Sequence, residues 1–97
     1  MHETKYYGEV LRILRENKNL SQKELATLAH TVATNISAYE TGKNCPTMEG
    51  ACRLADIFGV DLEVFTSDDS PIIKFIKERN NLDTQLQQML GGKNGNH

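Results

Sequence analysis

Apolar positions in the first part of the chain fall at helical spacing. Val10, Leu11, Leu14 and then Leu20 line one side of a stretch whose other side carries Arg12, Arg15, Glu16 and Lys18, the pattern of an amphipathic helix over roughly Tyr7 to Asn17. Asn17, Lys18 and Asn19 form a polar link. Ser21 followed three residues later by Glu24 is a capping box, so a second helix begins there with Leu25, Ala26 and Ala29 on its inner face. After the turn Ala29-His30-Thr31, Ile36 and Tyr39 repeat at i and i+3, and Thr31 is the expected N-cap of this third helix.

The remaining pattern is also helical. Thr41 to Pro46 reads as a loop, with Gly42 suited to a positive φ after a helix and Pro46 fixing the exit. Thr47 and Gly50 open a fourth helix with Cys52, Leu54, Ala55 and Phe58 inward, and Gly59 stops it. Asp61 is expected to cap a short fifth helix bearing Leu62 and Phe65. Thr66 to Ser70 is an acidic, polar linker, and Ser70-Pro71 starts a further helix because Pro is tolerated in a first turn. Phe75, Leu82, Leu86 and Met89 recur along it at heptad-like spacing, although Arg79 interrupts the seam and Asn80-Asn81 is a candidate break. The expected core is Leu11, Leu14, Leu20, Leu25, Ile36, Tyr39, Leu54, Phe58, Val60, Leu62 and Phe65.

Composition narrows the class. With 97 residues, 38% hydrophobic and 25% charged, one soluble all-α domain with a short appendage fits, and a second independent core does not. The opening residues lack the apolar run of a signal peptide, and no stretch approaches membrane-spanning length, so the expectation is a cytoplasmic protein with no membrane partner. Cys45 and Cys52 lack a companion pair or His cluster at zinc spacing and read as free thiols; no metal or cofactor is expected. No Ser/His/Asp set, paired carboxylates or Gly-rich phosphate loop is visible, which argues against an enzyme.

Net charge is −2, but its distribution matters more than the sum. Met1 to Asn44 holds six Lys/Arg against five Asp/Glu, whereas Cys45 to His97 holds five against eight. The acid is concentrated from Asp56 to Asp69, with five carboxylates and no cation, and that segment should point away from any polyanion.

Two runs carry a resemblance: Leu20-Ser21-Gln22-Lys23-Glu24-Leu25-Ala26, and Ile36-Ser37-Ala38-Tyr39-Glu40-Thr41-Gly42-Lys43 followed by Pro46. Together with Leu54-Ala55 and Phe58-Gly59-Val60, they make the stretch from Leu11 to Phe65 resemble the Cro/phage-repressor type of helix-turn-helix, also called the xenobiotic response element type. The resemblance implies a five-helix lambda-repressor-like domain over residues 7–66. To this are added a C-terminal helical appendage over 71–90 and a disordered, Gly- and Asn-rich tail over 91–97.

It also implies a function. The helix-turn-helix of Ser21 to Glu40 would bind operator DNA as a transcriptional regulator, with the third helix in the major groove. Its outward positions are then Ala33, Thr34, Asn35, Ser37 and Ala38. Thr34 and Asn35 suit hydrogen bonds to base edges, and the two alanine methyls suit thymine, which points to A·T-containing half-sites. Gln22 and Lys43 match family positions that contact the backbone; Asn44, Thr47 and the amides opening the fourth helix extend that clamp. Lys5, Arg12 and Lys23 add charge. Each of these has an ordinary reading as a solvated surface residue.

Arg15 and Glu40 match a pair that bridges the first helix to the end of the third, a structural role. His30 stands where the family usually has Gly in the turn, and is read as a surface histidine. Members usually dimerise to read two half-sites, so a homodimer on a pseudo-palindromic operator, acting as a repressor, is expected. Ile72, Ile73, Phe75, Ile76, Leu82 and Leu86 are the candidate contacts, unless they fold back on their own domain. A rival reading is an antitoxin-like module that neutralises a toxin partner and regulates its own operon.

Overall fold

The computed structural model describes residues 6–94, and those residues form helices joined by turns, with no strand among them. The order is α1 (Tyr7–Asn17), α2 (Gln22–Leu28), α3 (Ala33–Thr41), α4 (Met48–Phe58), a 3₁₀ turn (Leu62–Phe65) and α5 (Pro71–Asn94). Val10, Leu11, Leu25, Ile36, Leu54 and Phe65 are fully or almost fully buried and form the centre of the core. The Tyr7 ring stacks on Phe65 at 4.6 Å between centroids. Its hydroxyl is enclosed without a hydrogen-bond partner, and burial raises its pKa well above the ordinary tyrosine value. Leu14, Leu20, Tyr39, Val60 and Leu62 pack against this core while remaining partly accessible.

The first four α-helices all end in the same way. In each, the residue after the last turn adopts a left-handed conformation: Asn19 (φ 58°), His30 (φ 59°), Gly42 (φ 82°) and Gly59 (φ 68°). The next residue's N–H then reaches back five positions: Leu20 to Arg15 O (3.1 Å), Thr31 to Ala26 O (2.8 Å), Lys43 to Ala38 O (2.9 Å) and Val60 to Ala55 O (3.0 Å). This closure satisfies carbonyls that the helix leaves unpaired. Glycine reaches the left-handed region freely and asparagine tolerates it, but a histidine there carries a steric cost of about 1 kcal/mol. His30→Gly is therefore expected to raise stability by about 1 kcal/mol and the melting temperature by about 4–8 °C. Thermal unfolding followed by circular dichroism checks this, and a lowered melting temperature contradicts it.

Helix starts differ from expectation at two places. Val32, not Thr31, is the N-cap of α3, and it makes no side-chain capping bond. The left-handed turn at His30 places Thr31 one position before the helix. Asp61 occupies the cap position of the 3₁₀ turn without a side-chain capping bond. Cys52, expected inward, is exposed, as is Cys45. Ala51, Leu54, Ala55 and Phe58 already fill the inner stripe of α4, and Cys52 lies about 100° off it.

The appendage requires the largest correction. Ile73 and Ile76, expected among the dimer contacts, are 1% and 0% accessible and belong to the core of their own domain. Their i, i+3 spacing turns both toward the 3₁₀ turn, against which α5 packs. Ile72 is partly covered by the same core. Ser70 anchors the start of α5: its buried hydroxyl donates to Val64 O at 2.7 Å and accepts from the N–H of Ile73. Arg79, which interrupts the apolar seam, reaches Glu9 of α1, and Lys77 pairs with Asp68 at 3.2 Å.

Asn80-Asn81 does not break the helix. Asn80 O accepts from the Thr84 hydroxyl at 3.0 Å, and α5 runs on through Gly91-Gly92 to Asn94, where a disordered tail was expected. Residues 95–97 of that tail lie outside the described residues. Phe75, Leu82, Leu86, Met89 and Leu90 stay exposed.

Candidate nucleic-acid interface

The interface is built by α2, the turn and α3. Ser21 starts α2 with both halves of the expected capping box: its hydroxyl accepts from Glu24 N at 2.9 Å, and the Glu24 carboxylate accepts from Ser21 N at 2.8 Å. Ala26 lies between α2 and α3 at 2% accessibility, where a small side chain permits the close crossing of the two helices. Buried Ile36 fixes the rotation of α3 about its axis. The opposite side, carrying exposed Thr34 and Asn35, consequently faces outward.

Glu40 ties this unit to α1. Its carboxylate, 4% accessible, accepts Arg15 Nε at 2.6 Å, Arg15 Nη2 at 3.1 Å and Gln22 Nε2 at 3.0 Å. Arg15 Nη1 also donates to Leu20 O at 2.8 Å. The hydrogen bond that Arg15 donates to Glu40 raises the Arg15 pKa above its already high value, so the guanidinium is charged at any working pH. One carboxylate thus joins α1, the start of α2 and the end of α3.

Three expected contacts behave differently from free surface groups. Gln22 is half-buried and gives one amide N–H to Glu40, a link the sequence reading did not include. Asn35 is exposed, but its Nδ2 donates one N–H to Thr31 Oγ1 at 2.7 Å, so a two-point contact to adenine uses Oδ1 and the other N–H. Thr47 caps α4 by accepting from Gly50 N at 3.1 Å. Ala33, Ser37 and Ala38 are partly accessible, and Lys43 and Asn44 are exposed in the loop after α3. Arg12 and Lys23 are exposed as well, while Lys5 lies outside the described residues.

Electrostatics favour an anion here. From Gln22 to Thr47 the carboxylates are Glu24 and Glu40; the first is held in the capping box and the second is neutralised by Arg15. Lys23 and Lys43 stand exposed. Glu49, in the first turn of α4, pairs with Arg53 at 3.4 Å; Asp56 lies late in α4, and Asp61, Glu63, Asp68 and Asp69 fall between α4 and α5. Among the described residues, no three His, Cys, Asp or Glu side chains come together as a metal site, and no helix is long and apolar enough to cross a membrane.

One residue of the leading edge was missed by sequence reading. Val32 is 58% accessible at the very start of α3. Its β-branched side chain, in a place that favours Ser, Thr, Asp or Asn, was the available signal.

Comparison with known proteins agrees with this geometry. A family model described as helix-turn-helix matches residues 11–65. The HTH-type transcriptional activator BcrR of Enterococcus faecalis is 35% identical over 66 residues, covering 68% of this chain and 32% of that protein. The chain therefore spans about a third of the length of this relative. Among solved structures, the P22 c2 repressor in complex with a synthetic operator superposes with a TM-score of 0.64 at 21% identity, covering 68% of this chain and all of that one. The restriction-modification controller protein C.AhdI from Aeromonas hydrophila gives 0.57 at 28% identity, covering 60% and 88%.

Proposed function

Because this chain belongs to the helix-turn-helix family of transcriptional regulators, we propose that it binds a specific duplex operator through α3 and acts as a repressor. The observation that carries this reading is the open leading edge of α3, with exposed Thr34 and Asn35 flanked by exposed Lys43 and lying on a unit whose carboxylates are engaged. Thr34, Asn35, Ser37 and the methyls of Ala33 and Ala38 face base edges in the major groove. Gln22, Lys43, Asn44 and Thr47 hold phosphates on either side. Occupancy of the operator is itself the regulatory event.

One short helix contacts too few bases for strong discrimination, so two copies bind half-sites about 34–36 Å apart. Phe75, Leu82 and Leu86, exposed at 55%, 63% and 52%, are the α5 residues that remain available for a homodimer. The antitoxin alternative draws on the same exposed stripe. The helix-turn-helix and the exposed leading edge of α3 favour DNA as the primary ligand.

The two classes of contact separate experimentally. Lys43→Ala is expected to weaken binding to all duplexes by a similar factor and to lower the slope of log affinity against log salt by about 1 per site. Thr34→Ala and Asn35→Ala are expected to change preference among sequences, with about 1–3 kcal/mol of discrimination lost at the base contacted. Fluorescence-anisotropy titrations at several salt concentrations measure both effects. If all three variants bind every duplex as the parent does, the reading face has been misassigned.

A further inference from the structure

A cleft of about 270 Å³ opens between the start of α1, the loop that leads into α4 and the 3₁₀ turn. Pro46, Met48, Ala51 and Leu62 give it chiefly hydrocarbon walls, and Tyr7 and Cys45 also line it. Its size is near the lower end for small-molecule sites, at about 300 Å³.

Two of its polar groups are not used by the fold. Cys45 is a free, exposed thiol. Tyr7 is 6% accessible, and packing accounts for its ring, which stacks on Phe65. The hydroxyl is enclosed with no hydrogen-bond partner and interacts electrostatically with Cys45. Tyr7 and Cys45 are also the residues that this cleft shares with a second one beside Gly8, Tyr39 and Asn44, which sets them together on the wall between the two. A buried donor without an acceptor costs stability, and an acceptor entering the cleft removes that cost.

A ligand complementary to this set has a hydrocarbon body, an acceptor oxygen and a soft electrophilic carbon. We infer that the cleft captures small α,β-unsaturated carbonyl compounds, with Cys45 as the nucleophile and the Tyr7 hydroxyl donating to the carbonyl oxygen. The thiolate sulfur bonds to the β-carbon. The electron pair of the C=C bond shifts toward the carbonyl oxygen, where Tyr7 donates, and the proton lost by the thiol returns to the α-carbon through water. The step is an addition: no group leaves and no oxidant is required. Lys43 and Asn44, the loop residues assigned to phosphate, immediately precede Cys45. The adduct therefore lowers operator affinity, a consequence that rests on the proposed DNA-binding reading.

Cys52 supplies an internal control, because it is also exposed but does not line the cleft. The full chain is treated with cyclohexenone and, in parallel, with bromoethylamine, a polar alkylating agent that has neither an apolar body nor an acceptor oxygen. Peptide mass mapping follows each cysteine. Normalised to bromoethylamine, cyclohexenone is expected to label Cys45 about ten-fold faster than Cys52, the gain from roughly two buried carbons. Tyr7→Phe keeps the stacked ring and is expected to slow cyclohexenone at Cys45 about five-fold, the factor for one neutral hydrogen bond, with bromoethylamine unaffected. A thermal melt shows whether the variant is folded.

Equal normalised labelling of the two cysteines, or a Tyr7→Phe variant that reacts as the parent does, overturns the site. In a Cys52→Ser background, protein labelled at Cys45 is expected to bind a selected duplex roughly ten-fold more weakly than unlabelled protein, as loss of one charge-assisted contact implies; equal affinity overturns the regulatory consequence. The labelling needs no DNA, so its outcome is separate from that of the regulator reading, which fails if unlabelled protein selects no duplex.

Discussion

Gly8→Ala is expected to destabilise the protein by about 3 kcal/mol, near the top of the usual range for overpacked sites. On an exposed helix the same change would help, since alanine exceeds glycine in helix propensity by about 1 kcal/mol. Here the sign reverses because α1 meets the end of α3 backbone to side: a Cβ at Gly8 would stand 2.6 Å from Glu40 O and closer still to Tyr39 O. Those atoms are backbone carbonyls and cannot swing aside, so the helices must separate. Such separation also strains the Arg15–Glu40 contact. The melting temperature should drop by roughly 12–24 °C; an unchanged or raised value would mean that α1 does not approach α3 as described.

Glu40→Ala has a comparable expected effect, about 3 kcal/mol, by a different route. It leaves the Arg15 guanidinium, whose side chain is 12% accessible, without its carboxylate, and removes the acceptor of Gln22 Nε2. Loss of one partner from a largely enclosed ion pair costs far more than the pair contributes over a hydrophobic substitute. Accordingly, the double variant Arg15→Met/Glu40→Leu should recover much of the loss. Urea unfolding of the single and double variants measures this. Equal stability of Glu40→Ala and the parent would show that the three-way junction is not a structural tie.

The parts of this fold legible in the sequence were those governed by local rules. The Ser21/Glu24 box, the terminating glycines at 42 and 59, and the i, i+3, i+4 stripes of α1 and α4 depend on residues a turn apart. The Arg15–Glu40 bridge joins residues far apart in sequence, and it was legible only through the family resemblance. Its third member, Gln22, was not, because the hydrogen bond depends on where α2 begins relative to the end of α3.

The misses have two causes. His30 takes the left-handed position that sequence rules assign to Gly or Asn, and this shifted the expected N-cap from Val32 to Thr31. Ile73 and Ile76 look the same in sequence as Phe75 and Leu82; only the position of the 3₁₀ turn beneath α5 decides which of the four are covered. Periodicity identifies an apolar stripe and leaves open whether it is buried against its own chain or another.

The central claim is that the outward edge of α3 reads duplex sequence. Selection of bound fragments from a random duplex pool tests it most directly. The account predicts enrichment of an inverted repeat whose half-site centres lie about 34–36 Å apart, one turn of B-DNA, and which contains A·T pairs. A pool that remains unenriched after successive rounds with folded protein would contradict it.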